Sequence, residues 1–249
     1  MQYTTKVPLN QDNIKLFIKS FEDGDFEHYE QERDHPTITH NGRGASIWNN
    51  IFTQIEKNFT KEGFQVNTLS RGPWELAYVY DENTKYLYTF MRSKNFVNLQ
   101  KRSPEDKIFH YCSILSRLNG ELLHTYQPEF EQISFGLLKV IDGGTDIILS
   151  ELLNSMLTKI DGDVERYALV LVEQERGIVT NIECIIPIEG MSKLYTESWK
   201  EYIGVAYDTT ETNVEEAEPV ENDIILFMKD TDIKLEAKEE SVKKTQDKN

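Results

Sequence analysis

The sequence predicts an α+β fold: a mainly antiparallel sheet built from two hairpins and flanking strands, covered by helices, with an acidic C-terminal tail. Three observations carry this. Residues 74–80 with 86–91, and 166–174 with 178–188, form pairs of apolar runs separated by short polar turns. Stretches 45–60, 104–119 and 145–160 repeat apolar residues at the three- and four-residue spacing of a buried helix face. Residues 208–223 hold seven acids and no base, with Pro219 among them, and read as a linker.

Residues 10–20 predict a short amphipathic helix, capped by Asn10 or Asp12, with Ile14, Phe17 and Ile18 on one face. The acid-rich segment 22–44 reads as a loop and holds three of the five histidines. In 45–60, Ile47, Ile51 and Ile55 recur every four residues, Trp48, Phe52 and Phe59 broaden the stripe, and Gly63 ends the helix. Residues 64–70 alternate as a strand before the turn Arg71-Gly72-Pro73.

The next hairpin has a five-residue loop, 81–85, in this reading. That spacing puts Trp74, Tyr78, Tyr86 and Tyr88 on one nearly all-aromatic face, which makes them candidate interface residues. Ser93 starts a short helix, 93–101. Ser103 and Pro104 start the next, whose stripe is Ile108, Tyr111, Cys112, Leu115 and Leu118 and which Gly120 ends.

Residues 133–141 predict a strand and 142–144 a turn. The strands 166–174 and 178–188 are the most continuously apolar in the chain, as expected near the centre of a sheet. Trp199 falls in a predicted helical segment, 196–203. One domain is expected over 1–207. The tail, 208–249, adds at most a short edge strand at 224–228.

The 249 residues carry a net charge of -16. This opposes general, sequence-independent DNA binding, which needs bases to neutralise phosphates. It suits a basic protein partner. Cys112 and Cys184 form no metal-type pair and no disulfide framework. The N-terminus lacks an apolar signal region and no apolar run is long enough to span a bilayer. A cytoplasmic location with no membrane partner is the expectation.

Four blocks carry a resemblance. They are His40-Asn41-Gly42-Arg43 with Trp48 and Ile51; Arg71 with Trp74-Glu75-Leu76 and Phe90-Met91-Arg92; Phe96 with Leu99-Gln100-Lys101 and His110-Tyr111; and Pro187, Tyr195, Trp199 and Tyr202-Ile203. Over residues 40–203 the chain resembles an uncharacterised family of unknown function from Gram-positive bacteria and their phages. The resemblance implies no reaction. It implies a phage or mobile-element setting, and with it an interaction protein that binds a host or defence protein.

The order helix, three strands, helix over 45–101 also resembles the core of restriction-endonuclease-like nucleases. Those enzymes hold a metal through an acid at one strand end and an acid-x-Lys pair on the next strand. Glu75 and Asp81 are the candidate acids. Residues 85–92 supply no acid-x-Lys, and Lys85 lies at the wrong end, so an active or a degenerate relative stay open. No P-loop, dinucleotide-binding or nucleophile-elbow pattern occurs, so no cofactor and no catalytic residue is assigned.

A second reading rests on charge. Between Arg71 and Arg117 eight bases face five acids, in an otherwise acidic chain. Arg71, Arg92, Lys94, Lys101 and Arg102, with Arg43 beside a helix start, are the candidate nucleic-acid or nucleotide contacts. The segment from His28 to His40 contains metal-capable side chains, with His35, His40 and an acid as the candidate set. Its spacing matches no zinc motif, and no metal is assigned.

Overall fold

The computed structural model describes residues 6–36, 38–71, 74–122 and 143–204. The elements are α1 (Gln11–Asp34), α2 (Arg43–Phe59), β1 (Phe64–Arg71), β2 (Trp74–Asp81), β3 (Tyr86–Arg92), α3 (Ser93–Gln100), α4 (Pro104–Ile108), α5 (Tyr111–Ser116), α6 (Gly143–Leu157), β4 (Arg166–Glu175), β5 (Ile178–Ile188) and β6 (Ser192–Ser198). Single 3-10 turns follow α5 and β6. The expected strand at 133–141, the tail and the strand at 224–228 lie outside the described residues.

The six strands run in chain order across one sheet. Two antiparallel meanders, β1-β2-β3 and β4-β5-β6, join through a parallel β3–β4 pair. Parallel neighbours need a long crossover, and α3 to α6 lie within it. Helices cover both faces. One core contains Phe17, Phe21, Ile51, Ile55 and Phe59 of α1 and α2 against Tyr88, Phe90, Val170 and Ile186. The other sets Phe96, Leu99, Ile114, Leu115 and Leu149 against Tyr78, Leu87, Leu169 and Ile185.

Phe17 centres the first core. Its ring stacks on Phe59 at 4.3 Å and meets Phe90 edge-on at 5.1 Å. Such aromatic pairs add about 0.5–1.5 kcal/mol each beyond burial.

Four expectations change. First, the helix that starts at Asn10, whose side chain accepts from Asn13 N, runs on to Asp34. Phe21, Gly24 and His28 continue the buried stripe through the acid-rich segment, so only residues 35–42 of 22–44 lie between α1 and α2. Second, the stretch 104–119 is two short helices with a 3-10 turn, because His110 starts a new one by accepting from Cys112 N. Third, residues 192–198 are strand β6, and only 200–202 turn helically. Fourth, Gly143 and Gly144 open α6 and form no turn.

The fourth-strand pairing also shows how a proline is accommodated. Pro187 has no N–H to give, and the β4–β5 ladder ends at Leu169 and Ile185. Asn119, fully buried, fills the gap. Its Nδ2 donates to Tyr167 O (2.8 Å) and Pro187 O (2.7 Å), and its Oδ1 accepts from Tyr167 N (3.0 Å). A side-chain amide thus stands in for a backbone amide.

Candidate functional site

The hairpin register decides the fate of the aromatic face. Asp81 pairs with Tyr86, Tyr80 with Leu87 and Val79 with Tyr88. The loop is therefore one residue shorter than expected. Asp81 Oδ1 accepts from Asn83 N (3.0 Å) and Thr84 N (3.2 Å), and Lys85 closes the turn with φ 62°. A one-residue slip moves a whole strand's side chains to the other face. Tyr78 accordingly packs in the core under α3 to α6, and Tyr86 and Tyr88 pack under α1 and α2. The structure contradicts the exposed aromatic interface: Tyr78, Tyr86 and Tyr88 are buried core residues. Trp74 begins β2 opposite Arg71.

The same register tests the nuclease resemblance. Val79 opposite Tyr88 puts the odd residues of β2 on the face of the even residues of β3. Glu75 therefore shares a face with Phe90 and Arg92. The acid-x-Lys position reads Phe90-x-Arg92, with a ring where the second acid belongs. Asp81, the other candidate acid, is buried at the far end of β2 as a turn cap.

The carboxyl end of β3 gathers what the sequence left apart. α2 ends against the start of β1, with Phe59 and Phe64 rings 5.5 Å apart, so its N-terminus lies at the end where β1 and β3 finish. α3 begins at that end directly after Arg92. Neither helix has a side-chain N-cap or an acid in its first turn, whereas α1, α4 and α5 have side-chain caps. Helix N-termini carry unpaired N–H groups and partial positive charge.

Asp25, from the second half of α1, sits among Arg92, His28 and Arg43. Burial pushes its carboxyl pKa up, and those three neighbours pull against that rise. Gly177 of the β4–β5 turn lies against it too: a side chain there would begin 3.4 Å from Asp25 Oδ2. His28 is only 7% exposed. Its Nδ1 shares a 3.0 Å hydrogen bond with Ser46 Oγ in the first turns of α2. Its Nε2 is buried without a hydrogen-bond partner, 3.6 Å from Glu32 Oε2. Glu32 also pairs with His40 Nδ1 (2.8 Å) and lies 3.8 Å from Arg43 Nε. Ser93 Oγ, at the start of α3, is likewise buried and unbonded.

Of the candidate basic residues, Arg43 and Arg92 both act on the Asp25 carboxyl, pulling its pKa down against the rise from burial. Arg71 ends β1 at the same end of the sheet. Lys94 is exposed in the first turn of α3. Lys101 and Arg102 follow α3, about 10 Å along its axis from Lys94. The basic cluster is thus two groups. Asp25 was missed because its segment reads as a loop. The continuing spacing Phe17, Phe21, Gly24, His28 is the signal that would have placed it on a helix.

Among the described residues no group of three or more His, Cys, Asp or Glu is placed to hold a metal ion. His35 is the cap residue that ends α1, and His40 is engaged with Glu32. Cys112 and Cys184 are buried free thiols, the first pushed up to about 12 by burial. No helix among the described residues is long and apolar enough to cross a membrane. A model of a family of unknown function (DUF5986) matches residues 6–247. No curated protein and no solved structure matches the chain.

Proposed function

The chain belongs to that family of unknown function, and we propose that it is a non-catalytic domain that binds phosphate groups of nucleic acid or nucleotide at the carboxyl end of β3. The observation that carries this is that Arg43 opens α2 and Arg92 directly precedes α3, two helix N-termini without side-chain caps, and both act on the Asp25 carboxyl. Phe90 in place of a ligand acid supports binding over hydrolysis, because a ring cannot coordinate a metal. The acidic remainder of the surface repels a general polyanion, so recognition is local.

Binding of a labelled single strand tests this. Arg92→Ala is expected to weaken it about tenfold, consistent with losing one charged hydrogen-bond donor. Affinity should also fall steeply with salt. Binding that ignores both changes would sink the reading. Metal-dependent cleavage by the wild type, lost in Glu75→Gln, would replace it with a nuclease.

The host or defence protein partner, in a phage or mobile-element setting, is the second reading. It is supported by a different surface. Phe26 and Tyr29 of α1 are 64% and 45% exposed, and Ile178, the first residue of β5, is 59% exposed. Removing Phe26 should abolish capture of such a partner and leave strand binding intact.

A further inference from the structure

We propose that the outer face of α1 around Phe26 and Tyr29 docks a basic amphipathic helix of a partner protein. The two rings take its apolar stripe, and the carboxylates beside them take its Lys and Arg side chains. The inference rests on the protein-partner reading above and names the chemistry of that partner.

Large hydrophobic side chains exposed singly are ordinary on a protein surface. Among the described residues Ile38, Val97, Ile147 and Ile178 are of that kind, each the lone one of its loop, helix or strand. Phe26 and Tyr29 differ. Both are exposed and they stand three residues apart on one helix, so their rings share a face. The flanks of that face are tied down. Toward α2, Gln54 Nε2 donates to Glu27 Oε2 (2.6 Å) and Asn50 Nδ2 to Gln31 Oε1 (3.2 Å). Toward the sheet, the Glu22 carboxylate is hydrogen-bonded to the Val179 backbone. The rings therefore stand on a fixed helix with solvent over them.

Charge decides what fits there. On a helix Phe26 adjoins the residues three and four positions away, which are Glu22, Asp23, Tyr29 and Glu30. Residues 22–34 hold seven acids against one arginine. The bases nearest the rings are exposed and loosely committed: Arg33 bonds Glu30 through both terminal nitrogens, and Lys19 lies 4.0 Å from Asp23. Exposed pairs of this kind contribute little, so an incoming base can exchange with them. An acidic partner is repelled, and a purely apolar one would strip water from the carboxylates without replacing it. A basic partner meets neither penalty, and Lys and Arg also sit favourably over ring faces. A helix suits the shape, because α1 presents a convex row at three- and four-residue spacing into which a second such row packs. The net charge of -16 draws a basic partner in from a distance.

The test uses the full chain and three labelled synthetic peptides of about 18 residues, or about five helical turns, read by fluorescence anisotropy. One has a leucine stripe at helical spacing with Lys and Arg elsewhere. The second keeps the stripe and has Glu in place of the bases. The third keeps the bases and has Ser in place of the leucines. The first should bind, and the other two about tenfold more weakly or worse. Phe26→Ala should weaken the first about tenfold, Tyr29→Ala by less, and Phe26→Leu should keep most of the affinity. Glu22→Gln combined with Asp23→Asn should flatten its salt dependence. Phe26→Ala should melt with the wild type, because the ring is exposed, which separates loss of the site from loss of the fold. Basic peptides that bind whether or not the leucines and Phe26 are present would show only attraction to an acidic chain and would overturn the site. Phe26-dependent binding of the acidic peptide would overturn the basic chemistry and leave the partner reading standing. Binding of no peptide would overturn the inference. The partner reading fails separately, when a protein captured from host lysate is retained equally by Phe26→Ala.

Discussion

Two polar clusters lie on opposite ends of the same buried sheet, and they differ in how well they are satisfied. Around Asn119 every atom of the carboxamide that can bond does so, to Tyr167 and Pro187. Nearby, Thr89 Oγ1 and the Tyr167 hydroxyl lie 2.7 Å apart. Around Asp25 the groups are charged, His28 Nε2 has no hydrogen bond, and two helices begin without side-chain caps. The first pattern is that of structure, since satisfied buried networks stabilise and specify a fold. The second keeps unspent hydrogen-bonding capacity, and it is there that the proposed phosphate contact lies.

The comparison breaks most sharply at Asn119. Asn119→Ala leaves Tyr167 N–H and two carbonyls buried without partners. At about 1–3 kcal/mol for each such group, a loss of about 3 kcal/mol or more is expected in chemical denaturation. A loss below about 1 kcal/mol would show that the carboxamide is not needed where Pro187 interrupts the ladder.

Much of this fold was legible in the sequence, because period-two and period-3.6 patterns report burial directly. Both hairpins, the helix with Ile47, Ile51 and Ile55, and the Ser103 cap read correctly. The misses have physical causes. The acidic second half of α1 hid a helix whose buried face is narrow and includes Gly24 and His28. The β2–β3 register turned on a single residue, settled by the Asp81 side chain and the left-handed Lys85, which alternation alone does not encode. The site was half legible: Arg43 and Arg92 stand out as bases in an acidic chain. Their meeting with Asp25 depends on where α1 crosses α2, which is a tertiary fact.

Gly24 sets that crossing. A Cβ there would lie 2.5 Å from Ile51 Cα and 2.6 Å from Ile51 N, backbone atoms that have no rotamer to escape into. Alanine is the better helix former by about 1 kcal/mol. The clash should win, with Gly24→Ala costing about 2 kcal/mol. It should also weaken phosphate binding, because Asp25 and His28 ride on the displaced helix. Destabilisation with undiminished binding would separate the site from the α1–α2 contact.

The smallest expected effect is the most diagnostic. Burial raises the Asp25 pKa, against the pull of Arg92, His28 and Arg43. A carboxyl with a raised folded-state pKa holds its proton more tightly folded than unfolded. Stability then falls as pH climbs from the unfolded to the folded pKa, and the penalty persists above it. Asp25→Asn removes the penalty. The variant should melt slightly above the wild type at neutral pH and converge with it in acid, where Asp25 is protonated in both states. A comparable exchange around Asn119, which carries no ionisable atom, should show no such pH dependence. If Asp25→Asn instead melts lower at neutral pH, the carboxylate earns its place through Arg92 and Arg43. The cluster would then be a closed ion pair like the satisfied one, and the contrast between the two ends of the sheet would collapse.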